Sequence, residues 1–325
     1  MNRKAIVVLA TFLLTAVSFA QAQKPASIPR IGILRPGAPV IDGPFQFFIH
    51  GLRELGYVDG KNIVFEFRYA EGKRDRLAEL ATELVELKVD LLFTGSNPAI
   101  FALKQATQTI PIVIVSSSDP VGTGFISSLA RPGGNVTGMS LMATDLWPKR
   151  LELLKEIFPK LSRAALFWNK SNAGMAIEAK ATQEAAGLMG VTLLDRGVKD
   201  PNEIEWVLDA TSKDRPDGFL PLMDLSLRSH EKRIIEFLTK NRLPAIFENQ
   251  EMVEAGGLIS YGPNYDEVYR RAAVYVDKIL KGAKPADLPV EQPTKFDLII
   301  NLKAAKQIGV TIPPNVLARA DKVIK

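Results

Sequence analysis

The 325-residue chain contains no cysteine and only two histidines, His50 and His230. The first absence removes disulfides, thiolate nucleophiles, iron–sulfur ligation and cysteine-bound zinc. The second rules out a three-histidine metal centre, and no HExxH pattern occurs. There is also no GxSxG elbow and no GxxxxGK[ST] phosphate loop. The first strand–loop, Gly32-Ile-Leu-Arg-Pro-Gly37, has the wrong glycine spacing for a dinucleotide loop. Nothing establishes a carboxylate pair of the glycosidase kind. The sequence therefore nominates no catalytic residue, no metal ligand and no cofactor. Excess charge of one sign is scarce as well. Lys and Arg number 41 against 36 Asp and Glu, and bases alternate with acids, as in Lys149 and Arg150 beside Glu152 and Glu156. A nucleic-acid surface needs a concentrated basic footprint, so no nucleic-acid partner is expected.

At the N-terminus, Arg3 and Lys4 precede the apolar run Ala5–Val17, which only Thr11 and Thr15 interrupt, and small residues follow to Ala22. That three-part plan predicts a secretory signal peptide over residues 1–22. The run is shorter than the roughly 20 apolar residues that span a bilayer. Loss of Arg3 and Lys4 with the leader lowers the net charge from +5 to +3. With no cysteine after the apolar run, a cysteine-linked lipid tether cannot form. The expected product is soluble, periplasmic and not membrane-spanning after cleavage.

Beyond the leader, strand-like runs alternate with amphipathic helices. Ile31–Leu34, Ile63–Tyr69, Asp90–Thr94 and Ile110–Val115 read as strands, and Phe45–Gly56, Asp75–Leu87 and Asn97–Ala106 as helices. The Gly/Pro-rich passage Arg131–Asn135 breaks this rhythm before a further strand, Val136–Ser140. A second series of comparable size restarts after the helical Thr144–Phe158, with strands at Ala164–Trp168, Val191–Leu194, Gly218–Leu222, Pro244–Phe247 and Leu258–Tyr261. Asp266–Lys281 reads as a long helix, Phe296–Ile300 as a strand and Pro314–Lys325 as a terminal helix. Serial βα units of this kind predict an α/β fold: two Rossmann-like lobes with parallel-rich sheets joined by a hinge.

In open parallel sheets, ligands bind beyond the carboxyl ends of the strands. That rule selects the loops holding Pro36 and Gly37, Gly95, Ser96 and Asn97, and Ser117 and Asp119 in the first series. In the second it selects Asn169, Asp224, Glu248 with Asn249, and Tyr261. Gly95–Asn97 offers backbone N–H groups at a helix start, which suit an anionic oxygen. Asp224 and Glu248 can accept from an ammonium or hydroxyl. Tyr261 can stack on a flat group. Each residue also has a purely structural reading: a helix cap, a turn or a core aromatic.

Several ordered fragments resemble bacterial ABC-transporter substrate-binding proteins of the tryptophan/tyrosine type, which have a periplasmic-binding-protein-like I fold. They include His50-Gly-Leu-Arg-Glu-Leu-Gly-Tyr57, Phe67-Arg-Tyr-Ala-Glu-Gly72, Ser117-Ser-Asp-Pro-Val-Gly122 and Ser128-Leu-Ala-Arg-Pro-Gly-Gly-Asn-Val-Thr-Gly138. Pro244-Ala-Ile246, Glu254-Ala-Gly-Gly257 and the tail from Leu280 to Lys295 add to them. The resemblance spans residues 28–325. It implies one lobe of residues 28–142 plus 263–282 and another of 143–262 plus 283–325. It also implies that the nominated loops line an interlobe cleft. There Ser96, Asn97 and Ser117 would hold an acidic end, and Asp224 or Glu248 an amine or hydroxyl. The implied activity is capture of a small organic solute, an amino acid or related small carboxylate, for delivery to an ABC permease in the inner membrane. An envelope sensor that signals to a membrane partner, or an enzyme on the same fold, are the alternatives.

Overall fold

A computed structural model describes residues 28–325 apart from 40, 42, 117 and 225, and omits the Ser116 side chain. The leader over residues 1–22 and the nominated Ser117 lie outside the described residues.

The first sheet has the order β2-β1-β3-β4-β5 and is parallel throughout. Its strands are β1 (Arg30–Arg35), β2 (Val64–Tyr69), β3 (Leu91–Thr94), β4 (Ile112–Ser116) and β5 (Val136–Ser140). Helices α1 (Phe45–Glu54), α2 (Arg76–Glu86) and α3 (Asn97–Ala106) connect the first four. Phe48 and Leu52 of α1 face one side of the sheet, and Leu80 and Leu84 of α2 face the other. Helices on both faces bury the strands on both sides, which is why they read as unbroken apolar runs.

The second half opens with α4 (Ala143–Ile157), followed by β6 (Arg163–Asn169), α5 (Ala173–Leu188), β7 (Thr192–Val198), α6 (Ile204–Asp214) and β8 (Gly218–Pro221). After α7 (Glu231–Lys240) come β9 (Ile246–Phe247), α8 (Gln250–Glu254) and β10 (Ile259–Pro263). Strands β7-β6-β8 are parallel, and one Phe219–Ala245 bridge carries the order on to β9 and β10.

The chain then recrosses. Helix α9 (Tyr265–Leu280) packs on α1, burying Ala272, Ala273 and Val276 in the first half. Finally β11 (Phe296–Asn301), α10 (Leu302–Ile308), α11 (Pro314–Leu317) and β12 (Lys322–Ile324) complete the second sheet. Strand β11 runs antiparallel to β10, and β12 parallel to β11.

Leu288–Glu291, in the segment that the resemblance assigns to the second lobe, lies along β5. Ser140 N–H donates to the Glu291 carbonyl at 2.9 Å, Glu291 N–H to Gly138 at 3.0 Å and Thr137 Oγ1 to Leu288 at 2.7 Å. The terminal helix expected over Pro314–Lys325 is a single turn followed by β12. Asp321 ends it by donating its N–H to the Leu298 carbonyl and accepting the Leu298 N–H on its carboxylate.

Candidate functional site

Each sheet reverses its strand order beside its first strand, β1 in one and β6 in the other. The loops leaving those strands and their neighbours therefore diverge and leave a crevice. In the first half the crevice is bounded by Gly95–Asn97 after β3. In the second it is bounded by Asn169–Asn172 after β6 and Met223–Asp224 after β8. These edges enclose a cavity of about 60 Å³ that also touches Glu248, Asn249, Tyr265 and Tyr269. It shares Arg228 and Glu231 with a wider cleft of about 460 Å³ bordered by Pro36, Gly37 and Ser226. Glu248, Asn249 and Tyr265 also border a third space of about 240 Å³ toward the β10–α9 crossing.

Local chemistry fixes these groups. Asn172 caps α5 by accepting the Gly174 N–H at 3.1 Å, and Asn249 caps α8 by accepting the Met252 N–H at 3.1 Å. One Asp224 oxygen accepts the side-chain amides of Asn169 and Asn172, both at 3.0 Å. The other accepts the Ser226 N–H at 3.1 Å and its hydroxyl at 2.5 Å. With four donors already on it, this carboxylate orients the two asparagines. Tyr269 brings its hydroxyl against the bare Cα of Gly95, where a side chain would collide with it. Arg228 pairs with Glu251 at 2.5 Å and with Glu231 at 3.3 Å, at the rim of the cleft.

Glu248 differs from Asp224. Among the described residues its carboxyl makes no hydrogen bond. Burial pushes it up to about 7, against the pull of Arg150 and Arg228. Arg150 itself is 1% exposed on α4. Its Nε donates to the Tyr261 carbonyl at 2.7 Å, its guanidinium lies 4.5 Å from the Trp147 ring centroid, and its Nη1 has no partner among the described residues. On α5, fully buried Glu178 accepts the Ser118 hydroxyl at 2.9 Å on one oxygen and has no partner on the other among the described residues. Burial, reinforced by Glu248, raises its carboxyl to about 8.

The structure thus brings together Gly95, Ser96, Asn97, Asp224, Glu248 and Asn249, with Asn169 one hydrogen bond behind them. Pro36 and Gly37 border the wider cleft. Two nominated residues stay apart from the cavities. Asp119 accepts the Val121 N–H at 2.9 Å and so closes its own turn. Tyr261 packs its ring on Phe296, with centroids 6.1 Å apart, and contributes a carbonyl to Arg150. Strand alternation places the Tyr261 side chain on the face opposite Ser260 and Gly262, which border a cavity. The sequence reading missed Arg150, Glu178, Arg228, Tyr265 and Tyr269, all carried by helical segments. Arg150 and Glu178 do leave a trace: each is a charge inside an otherwise apolar or small-residue helix stripe, beside Trp147 and Leu151 or Met175 and Ala179.

Two α/β halves whose strand ends meet across a polar cleft define a solute-binding architecture. The family model described as ABC transporter substrate binding protein matches residues 38–324, and the chain belongs to that family. A tyrosine-binding protein of Clostridioides difficile (strain R20291) is 27% identical over 273 residues, 84% of this chain and 78% of the relative. The ABC domain in complex with L-Trp from Streptococcus pneumonia is 28% identical, with a TM-score of 0.84 over 92% of this chain and 100% of that one. The ligand-free, open structure of a substrate binding protein with adhesive properties from Clostridium difficile has the same identity and coverage, but a TM-score of 0.64. At equal sequence identity, this chain is more similar to the L-Trp complex than to the ligand-free, open structure.

Proposed function

We propose that the protein is an exported, periplasmic receptor that captures a free amino acid, with an aromatic side chain, and presents it to an ABC permease. Residues 28–142 and 263–291 form one lobe of this receptor, and 143–262 with 292–325 the other. Among the described residues no helix is long and apolar enough to cross a membrane. The observation that carries the reading is the position of Glu248, a half-buried carboxyl without a hydrogen bond among the described residues, on the same cavity as the starts of α3 and α5. Those two helix starts abut across the cleft, so their positive ends favour an anion between them. A zwitterion answers both demands: its carboxylate goes to Ser96, Asn97 and Asn172, and its ammonium to Glu248. Tyr265, Tyr269, Met223 and Leu141 supply an apolar and aromatic wall for the side chain. The role is binding and release rather than turnover.

Bound ammonium draws Glu248 toward its ionised form, because an adjacent positive charge lowers a carboxyl's pKa. Isothermal titration with L-tryptophan and L-tyrosine tests the assignment. Glu248→Gln keeps the shape but removes the charge, and its affinity should fall about 10–100-fold, the worth of a hydrogen bond to a charged group. Wild-type affinity in that variant would remove Glu248 from the site.

A further inference from the structure

The two halves touch directly beside the cleft. Helix α5 begins at Ala173, and its second residue, Gly174, faces Asn97 and Ser118 of the other half. A methyl group on Gly174 would collide with Ser118 Oγ and Asn97 Nδ2, and would lie 3.1 Å from Ser118 Cβ. Neither neighbour has room to swing away. Ser118 is fully buried and Asn97 nearly so, and the Asn97 amide is hydrogen-bonded to the Ser118 hydroxyl. The hydroxyl in turn donates to Glu178 at 2.9 Å, one helical turn beyond Gly174. A hydrogen-bonded chain therefore runs from Asn97, at the cavity edge, through Ser118 to a buried carboxyl of the opposite half.

We infer that Gly174 and Glu178 are positioning residues for closure: they border none of the cavities above, yet they decide how tightly a ligand is held. A ligand shifts the open–closed equilibrium only by its preference for the closed form. Anything that penalises the closed form alone therefore weakens binding without touching the ligand. Gly174 gives that logic a clean perturbation. Alanine is the better helix former, so Gly174→Ala suits α5 when the halves are apart. Its methyl meets an obstacle only when they come together.

The proposal rests on the amino-acid reading only for its probe. The chain has no cysteine, so Leu55→Cys and Leu188→Cys, at positions 39% and 92% exposed in opposite halves, can carry a donor–acceptor dye pair. L-tryptophan or L-tyrosine should raise energy transfer in the otherwise wild-type protein. Adding Gly174→Ala should abolish that change and weaken binding at least tenfold, with an unliganded melting temperature equal to or above wild type. Glu178→Ala should weaken binding several-fold. Closure and affinity of wild-type size in Gly174→Ala would overturn the proposal, and unchanged affinity in Glu178→Ala would remove Glu178 from it. If neither amino acid alters the wild-type signal, the ligand reading fails while the closure contact stays testable. A Ser118→Cys/Gly174→Cys pair starts with its Cβ atoms 3.1 Å apart, so a disulfide, which needs about 3.8 Å, forms after a small outward shift of the two segments. Prolonged oxidation traps even transient closure, so cross-linking of that pair supports the contact; failure to cross-link under those conditions overturns it.

Discussion

Glu178 offers a sharp test of the buried electrostatics beneath the cleft. Its carboxyl is held up to about 8 by burial and by Glu248, against the ordinary 4.5. The folded protein therefore keeps a proton that the unfolded chain releases above pH 4.5. The sign follows from linkage: wherever the native state binds more protons, stability falls as pH rises. The loss begins near pH 4.5, proceeds at up to about 1.4 kcal/mol per pH unit, and levels off above about pH 8, where the native carboxyl ionises too. Across that window the full shift corresponds to a cost on the order of 5 kcal/mol. Glu178→Gln copies the neutral acid, still accepts the Ser118 hydroxyl, and has no proton to lose. Wild type and variant should thus melt together near pH 5 and separate with rising pH, the variant melting about 5–10 °C higher at pH 8.5. Differential scanning calorimetry at half-unit pH intervals measures this, and the difference curve cancels all other titrations. Parallel curves, or a variant that melts lower at pH 8.5, would refute a protonated Glu178.

Arg150→Ala should destabilise the protein by about 3–5 kcal/mol, seen as a lower urea midpoint. It strips the donor from the Tyr261 carbonyl and removes the nearby positive charge that lowers the pKa of Glu248. Tyr275→Phe should cost about 1 kcal/mol by the same assay, because the Tyr275 hydroxyl donates to the Pro289 carbonyl at 2.6 Å. That hydrogen bond helps hold the return segment on the first half, away from the cleft, so ligand affinity should be unchanged.

The alternation of strands and helices was legible because burial dictates it. A strand covered on both faces must be apolar at nearly every position, as in Leu91-Leu-Phe93, and a covering helix must carry a stripe, as in Leu77, Leu80 and Leu84. Legibility falls where backbone pairing, rather than burial, determines structure. Leu288–Glu291 is held on β5 by main-chain hydrogen bonds, helped by the Thr137 and Tyr275 hydroxyls, and such pairing leaves little periodic pattern. Strand β12 is three partly exposed residues paired to β11, too short and too polar for period-two alternation to register. The candidate site divides the same way. Topology aims strand ends at the cleft, so Gly95, Asn97, Asp224 and Glu248 follow from the rule. Which side chain of a loop turns inward depends on local hydrogen bonds, and these keep Asp119 in its own turn and Tyr261 on Phe296.

The residues that reading missed share a physical role. Arg150 and Glu178 sit in the layer beneath the cleft, each buried with one polar atom left without a partner among the described residues. Such burial is unfavourable, because hydration is lost and not fully replaced. On the closure contact proposed above, separation of the halves would take Ser118 away from Glu178 and open the carboxyl to water. The empty closed form therefore carries a penalty that the open form avoids. A ligand placed between α3 and α5 must offset that penalty before closure is favoured, so binding and closure become one event. The unpartnered atoms oppose the closure that the Ser118–Glu178 hydrogen bond favours, and a bound ligand tips the balance. Glu178→Gln, which removes the charge and keeps the contact, should accordingly close more readily than wild type without ligand above pH 8, where the native carboxyl would otherwise ionise.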